Sequence, residues 1–170
     1  MTATRQAVSV VIRTRNEERF IGRCLDAVLN QEGIDPHIVV VDNDSTDCTL
    51  EIVSAHCIPQ SRQWLQELAA PLRNDRIAGA YGRQVPTRNS TARDVRDLLT
   101  VFGPEDRMQW SDPFFHNANS LIRRSLWNHI PFDPTARSVE DRIWAKQMLA
   151  QGYGLAYASQ ALVSHHHGIN

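Results

Sequence analysis

Several short clusters in this sequence carry side chains that can do chemistry. Thr14-Arg15-Asn16-Glu17 and Asp42-Asn43-Asp44 each follow directly on an apolar run. Carboxylates so placed can accept hydrogen bonds from ribose hydroxyls and from a base N–H. The string Asn43-Asp44-Ser45-Thr46-Asp47 equally fits turn and helix-capping chemistry. Glu140-Asp141 opens an amphipathic stretch, where Ser138 fits a helix cap and acids suit the positive end of the helix dipole. His56, Cys57 and the terminal His165, His166 and His167 are metal-ligating types, against which stand a packed core histidine and a solvated tail. Neither GxGxxG nor GxxxxGK(S/T) occurs, which disfavours a dinucleotide oxidoreductase and a kinase-type phosphate site.

The elements that position these clusters follow from hydrophobic period. Residues 8–14 (VSVVIRT) form a β-branched run, predicting a buried parallel strand. Phe20, Ile21, Cys24, Leu25, Val28 and Leu29 recur at helical spacing, predicting a helix over 19–30. Residues 37–42 (HIVVVD) predict a second buried strand, completing a βαβ unit with a right-handed crossover. That topology brings the two polar clusters to one sheet edge, where ligands bind in open α/β sheets. Further on, 50–55 is apolar, and 58–72 carries helical spacing with Pro59 near its start. A strand is expected at 77–85, and charged surface helix and loop at 87–111. A short strand at 119–122 and a short helix at 124–129 follow, then a good helix at 140–151 stopped by Gly152, then short strands at 155–158 and 161–164.

Bulk properties narrow the class. At 170 residues the chain is expected to be one domain, and 42% hydrophobic content with four Trp allows a substantial core. A net charge of -1 argues against a nucleic-acid or anionic-membrane surface as main partner. Cys24, Cys48 and Cys57 give neither a disulfide ladder nor a CxxC pair, so free thiols in a reducing cytoplasm are the expectation. No signal peptide is read in the first residues, and the longest apolar run is too short to span a bilayer, leaving at most peripheral membrane contact.

Taken in order, VSVVIRTRNEE and VVVDNDSTDCTLEI resemble the opening of the family 2 glycosyltransferases of the GT-A fold. In that family a T-x-N-E strand end and a V-D-(D/N)-x-S-x-D strand end hold the nucleotide. IAGAYGRQVP, FFHNANSLIRRSLW, PFDPTARSVEDRIWAKQMLAQGYGLAY and ALVSHHH continue the likeness, towards the rhamnosyltransferase-like branch. The resemblance implies an α/β fold with a mostly parallel central sheet, shortened, in a single domain with 1–57 binding nucleotide and 58–170 serving acceptor and catalysis. It implies nucleotide contacts from Thr14, Asn16, Glu17, Asp42, Asn43 and Asp44, with Glu17 and Asp42 on base and ribose. The family's Glu-Asp motif falls on Glu140 and Asp141, which makes Asp141 the base of an inverting transfer. Partners would be a nucleotide-diphospho-sugar donor and a glycan or lipid-linked acceptor, in cell-surface polysaccharide synthesis.

Two departures stand out. Where the family carries a metal-binding D-x-D, this chain reads Ser54-Ala55-His56, and the terminal histidines match an element that can add a ligand. The implied cofactor is Mn2+ or Mg2+, held by His56, His165 and His167, and a histidine-rich set favours Mn2+. Between Ile52 and Val53 several dozen family residues are missing. Parallel strands need a crossover of about a dozen residues, and residues 43–49 reach roughly 25 Å at full stretch. A link without a covering helix is expected, leaving a bare sheet patch and an exposed edge open to homo-oligomer formation. The rival readings are a nucleotide-binding remnant without turnover and a small metal-binding protein built on His56, Cys57 and the terminal histidines.

Overall fold

The computed structural model describes residues 5–42, 46, 57–88, 90–133, 135–136 and 139–165, and the junction between residues 52 and 53 lies outside them. The βαβ unit forms as its pattern requires. Strand β1 (Gln6–Thr14) and strand β2 (Ile34–Asp42) lie parallel, linked by helix α1 (Ile21–Leu29). Val8 and Ile12 turn inward with Ile34, and Cys24 and Val28 of α1 pack in the same cluster. Burial pushes the Cys24 thiol up to about 11, so it behaves as a small core group rather than a metal ligand. Side chains alternate across a strand, and Val11, Val39 and Val41 on the opposite face are exposed.

The rest of the chain builds a second, mixed sheet. Its strands are β3 (Cys57–Pro59), β4 (Ile77–Pro86), β5 (Arg107–Gln109), β6 (Ser120–Ile122) and β7 (Gly154–His165). They run in the order β3-β7-β4-β6, with β5 also on β7. Only the β4–β7 pair is parallel, while β3 and β5 lie antiparallel to β7 and β6 antiparallel to β4. The mostly parallel expectation thus holds for the two long pairings, and short antiparallel strands complete the sheet. The helices are α2 (Trp64–Ala69), continued by a 3-10 turn (Ala70–Arg73), then α3 (Ala92–Val101), α4 (Arg124–His129) and α5 (Glu140–Ala150).

Four local expectations change. Ile58 and Pro59 open no helix: a residue before proline is held extended, and this segment pairs with β7 instead. The helix begins at Trp64, and Pro71 tightens its end into the 3-10 turn. Strand β5, hidden in the charged 87–111 stretch, exists because β7 offers it a partner. The two short closing strands are one strand with a long bulge, since Gly82 pairs Ala158 while Gln84 pairs Val163. Asn119, 2% exposed, ties that bulge down. Its amide donates to the carbonyls of Ala161 (2.8 Å) and Arg83 (3.2 Å), and its oxygen accepts from the Trp64 indole at 2.9 Å.

A second core cluster holds Tyr81, Phe102, Phe115, Trp144 and Tyr157 between β4, β7 and α5. Helix α3 covers the edge of this core with Leu98 and starts with a reciprocal cap, in which Thr91 and Asp94 each bond the other's backbone N–H. Removing such a cap costs about 1 kcal/mol. Thr91→Ala is therefore expected to lower the melting midpoint by about 2–4 °C. An unchanged midpoint in a thermal melt counts against a contribution from this cap.

Candidate active site

The register decides the first half of the site. Thr14 is paired directly with Asp42, so both strands end at the same level. Asn16 takes a left-handed backbone conformation (φ 55) that asparagine tolerates better than most residues. Its Oδ1 accepts the Thr46 amide at 2.8 Å, which draws the segment after β2 onto the turn after β1. Glu17 is a carboxylate only 7% exposed, and its backbone carbonyl accepts the Phe20 amide as α1 begins. The Thr14 hydroxyl is buried without a hydrogen-bond partner among the described residues, a state that costs about 1–3 kcal/mol unless a ligand atom meets it. Asn43, Asp44 and the side chain of Asp42 lie outside the described residues.

The second half comes from the first turn of α5. Its N-cap position is Val139 with no side-chain cap, so the expected Ser138 cap, itself outside the described residues, is not the residue at that position. The acids hold other partners. Glu140 Oε1 lies 3.2 Å from an Arg13 guanidinium nitrogen. This half-exposed pair adds little stability, but it sets the first turn of α5 against the end of β1. Asp141 faces elsewhere, as neighbouring helix positions must. Its Oδ2 accepts the Asn117 amide at 3.0 Å and its Oδ1 the Arg142 amide at 2.7 Å.

Sequence reasoning passed over His116. The ring is largely buried, 5.8 Å from the Phe102 ring and 6.3 Å from that of His165, centroid to centroid. Burial pulls its pKa below the ordinary histidine range; the nearby Asp141 carboxylate opposes this and Arg142 adds to it. The only signal in the sequence is a lone histidine inside FFHNAN, and such a residue is as often core as site. His165 itself ends β7, 7% exposed, paired in register with Cys57 and Pro86. His56 and His167, its expected companions on a metal, lie outside the described residues. Among the described residues no group of three His, Cys, Asp or Glu stands together to hold an ion. No step below runs through a metal. Among the described residues also, no helix is long and apolar enough to cross a membrane.

The comparisons with known proteins bear on the fold. Residues 9–63 match the family model of glycosyl transferase family 2. No curated protein sequence matches the chain. Among solved structures, a mannosyltransferase from Pyrobaculum calidifontis, in complex with GDP-Man and Mn2+, superposes with a TM-score of 0.69 at 19% identity. That match covers 94% of this chain and 56% of the mannosyltransferase. TarS of S. aureus (residues 1–349) superposes at 0.65 with 15% identity, over 95% of this chain and 60% of TarS, and its complex with UDP at 0.66. The fold is the GT-A glycosyltransferase fold, and the resemblance to family 2 read from the motifs is borne out. Nothing in these matches singles out the rhamnosyltransferase-like branch. The chain spans somewhat more than half the length of the structures it matches.

Proposed function

We propose that the chain transfers a sugar from a nucleotide-diphosphate donor to a hydroxyl acceptor, with inversion at the anomeric carbon. The observation that carries this reading is the meeting of two strand ends with the first turn of α5. Glu140 reaches Arg13, while Asp141 is held by the Asn117 and Arg142 amides beside them. Residues 1–57 then supply the donor pocket and 58–170 the acceptor side, as one domain. Donor binding falls to Thr14, Glu17 and Asp42, with Asn16, Asn43 and Asp44 shaping the pocket edge.

In the reaction, Asp141 takes the acceptor's hydroxyl proton. The acceptor oxygen bonds to the anomeric carbon as the bond from that carbon to the diphosphate breaks. The electron pair leaves with the nucleoside diphosphate, and displacement from the opposite side inverts the centre. A base so placed contributes typically 10²–10⁴-fold. The solved neighbours were captured with GDP-Man and with UDP, which supports a nucleotide donor here. We take cell-surface polysaccharide as the setting, the cytoplasm as the place of action, and a rhamnosyl donor as the first to try.

Calorimetry with UDP, dTDP and GDP, with and without Mn2+, tests the binding half, and a donor screen tests turnover. Asp42→Ala and Glu17→Ala are each expected to weaken nucleoside-diphosphate binding by more than about tenfold, or 1.4 kcal/mol. Should both variants bind like the parent, the donor pocket lies elsewhere. Nucleotide binding without turnover on any donor would instead establish the remnant reading.

A further inference from the structure

A histidine with one nitrogen already committed has little choice about the other. His116 Nδ1 lies 3.0 Å from the Gln84 side-chain amide and accepts the Ala118 backbone amide at 3.4 Å. A backbone amide can only donate, so Nδ1 carries no proton. Gln84 is 1% exposed, which fixes that side of the ring. An imidazole keeps a proton on at least one of its two nitrogens, so with Nδ1 accepting the Ala118 amide the proton sits on Nε2. Nε2–H meets no hydrogen-bond partner among the described residues. The next residue, Asn117, places its amide on the Asp141 carboxylate. An unspent N–H donor and the amide that holds the Asp141 carboxylate therefore stand on neighbouring residues.

We propose that His116 positions the acceptor: its Nε2–H donates to the acceptor hydroxyl oxygen while that hydroxyl donates its proton to Asp141. The assignment rests on the transfer reaction above and deepens it. An alcohol has one proton and two lone pairs. With the proton directed at Asp141 and one lone pair directed at the anomeric carbon, the remaining lone pair takes Nε2–H. The two protein groups thereby fix the orientation of the attacking oxygen, the geometric requirement for a rapid displacement. The buried Gln84 is the support that keeps the tautomer: its amide holds Nδ1, and no other described side chain does.

Two measurements on the full chain test this. Labelled with 15N-histidine at pH 7.5, the His116 ring is identified as the signal lost in His116→Phe, and it is expected as the Nε2–H tautomer. An Nδ1–H tautomer or an imidazolium overturns the proposal. In kinetics, His116→Phe is expected to lower acceptor kcat/KM by about tenfold or more, the scale of one positioning hydrogen bond. Nucleoside-diphosphate affinity should stay within about twofold of the parent, since the contact is on the acceptor side. His116→Gln, whose amide nitrogen reaches close to the Nε2 position, should recover part of the loss. Unchanged acceptor kcat/KM, or donor affinity falling by the same factor, overturns the assignment. If the parent transfers no sugar, the reaction reading fails by itself. The contact is then tested by adding an acceptor glycoside to the labelled chain with nucleotide present, and an unmoved Nε2 signal overturns it.

Discussion

Asp141→Asn is expected to cut sugar-transfer turnover by about a hundredfold or more while leaving donor-nucleotide affinity nearly unchanged. Asparagine keeps the size of the side chain but cannot take a proton. The structure also sets the expected side effect. Both carboxylate oxygens accept backbone amides, from Asn117 and from Arg142. Asparagine offers a single oxygen, so one of those amides loses its partner, at about 1–3 kcal/mol. A modest drop in melting midpoint should accompany the kinetic loss. A purely structural Asp141 predicts the same drop in stability with turnover almost intact. Turnover, nucleotide affinity and melting midpoint measured on the one variant separate the two. A loss of turnover below about tenfold would remove Asp141 as the base.

The second large effect concerns folding. At Gly82 the strand β4 runs beneath the bulge of β7, and an added Cβ would meet the Ala161 carbonyl oxygen and the Asn119 amide nitrogen, with the Ala161 Cβ at 2.9 Å. The obstacle is backbone, which cannot rotate away. It is also the spot where Asn119 holds the bulge through Ala161 and Arg83. Overpacking costs about 1–3 kcal/mol, and each displaced buried hydrogen bond adds about 1–3 kcal/mol. Gly82→Ala is therefore expected to lose about 3–5 kcal/mol, a fall of roughly 10 °C or more in midpoint. Gly103 is the matched control, because a Cβ there meets nothing within 4 Å. If Gly82→Ala melts with Gly103→Ala and the parent, the bulge is not packed as described.

Much of the frame was legible in the residues because its signals are local. The apolar runs leading to Thr14 and Asp42, with one amphipathic helix between them, admit little but a parallel βαβ unit. The helical pattern near 140 likewise matches α5 (Glu140–Ala150). Illegible segments share one cause, dependence on a distant partner. Strand β5 has no strand signature of its own and exists by pairing with β7. Helix α5 has Val139 at its N-cap position, and its Asp141 bonds across to Asn117, 24 residues away.

The sequence by itself determined the resemblance to family 2 over its opening motifs, the class of fold and the edge where the first two strands end, since strand period and short connections impose that edge. It also supplied the acidic pair near residue 140, with capping and catalysis equally open. Only the tertiary structure decided which partner each carboxylate takes. Packing turned Glu140 to Arg13 and Asp141 to the Asn117 amide, partners 127 and 24 residues distant. It also set His116 beside them, with its Nδ1 3.0 Å from the side-chain amide of Gln84, 32 residues earlier. Spacing along a chain encodes which face a residue takes. It does not encode which other face arrives opposite, because that follows from the burial of the two cores taken together.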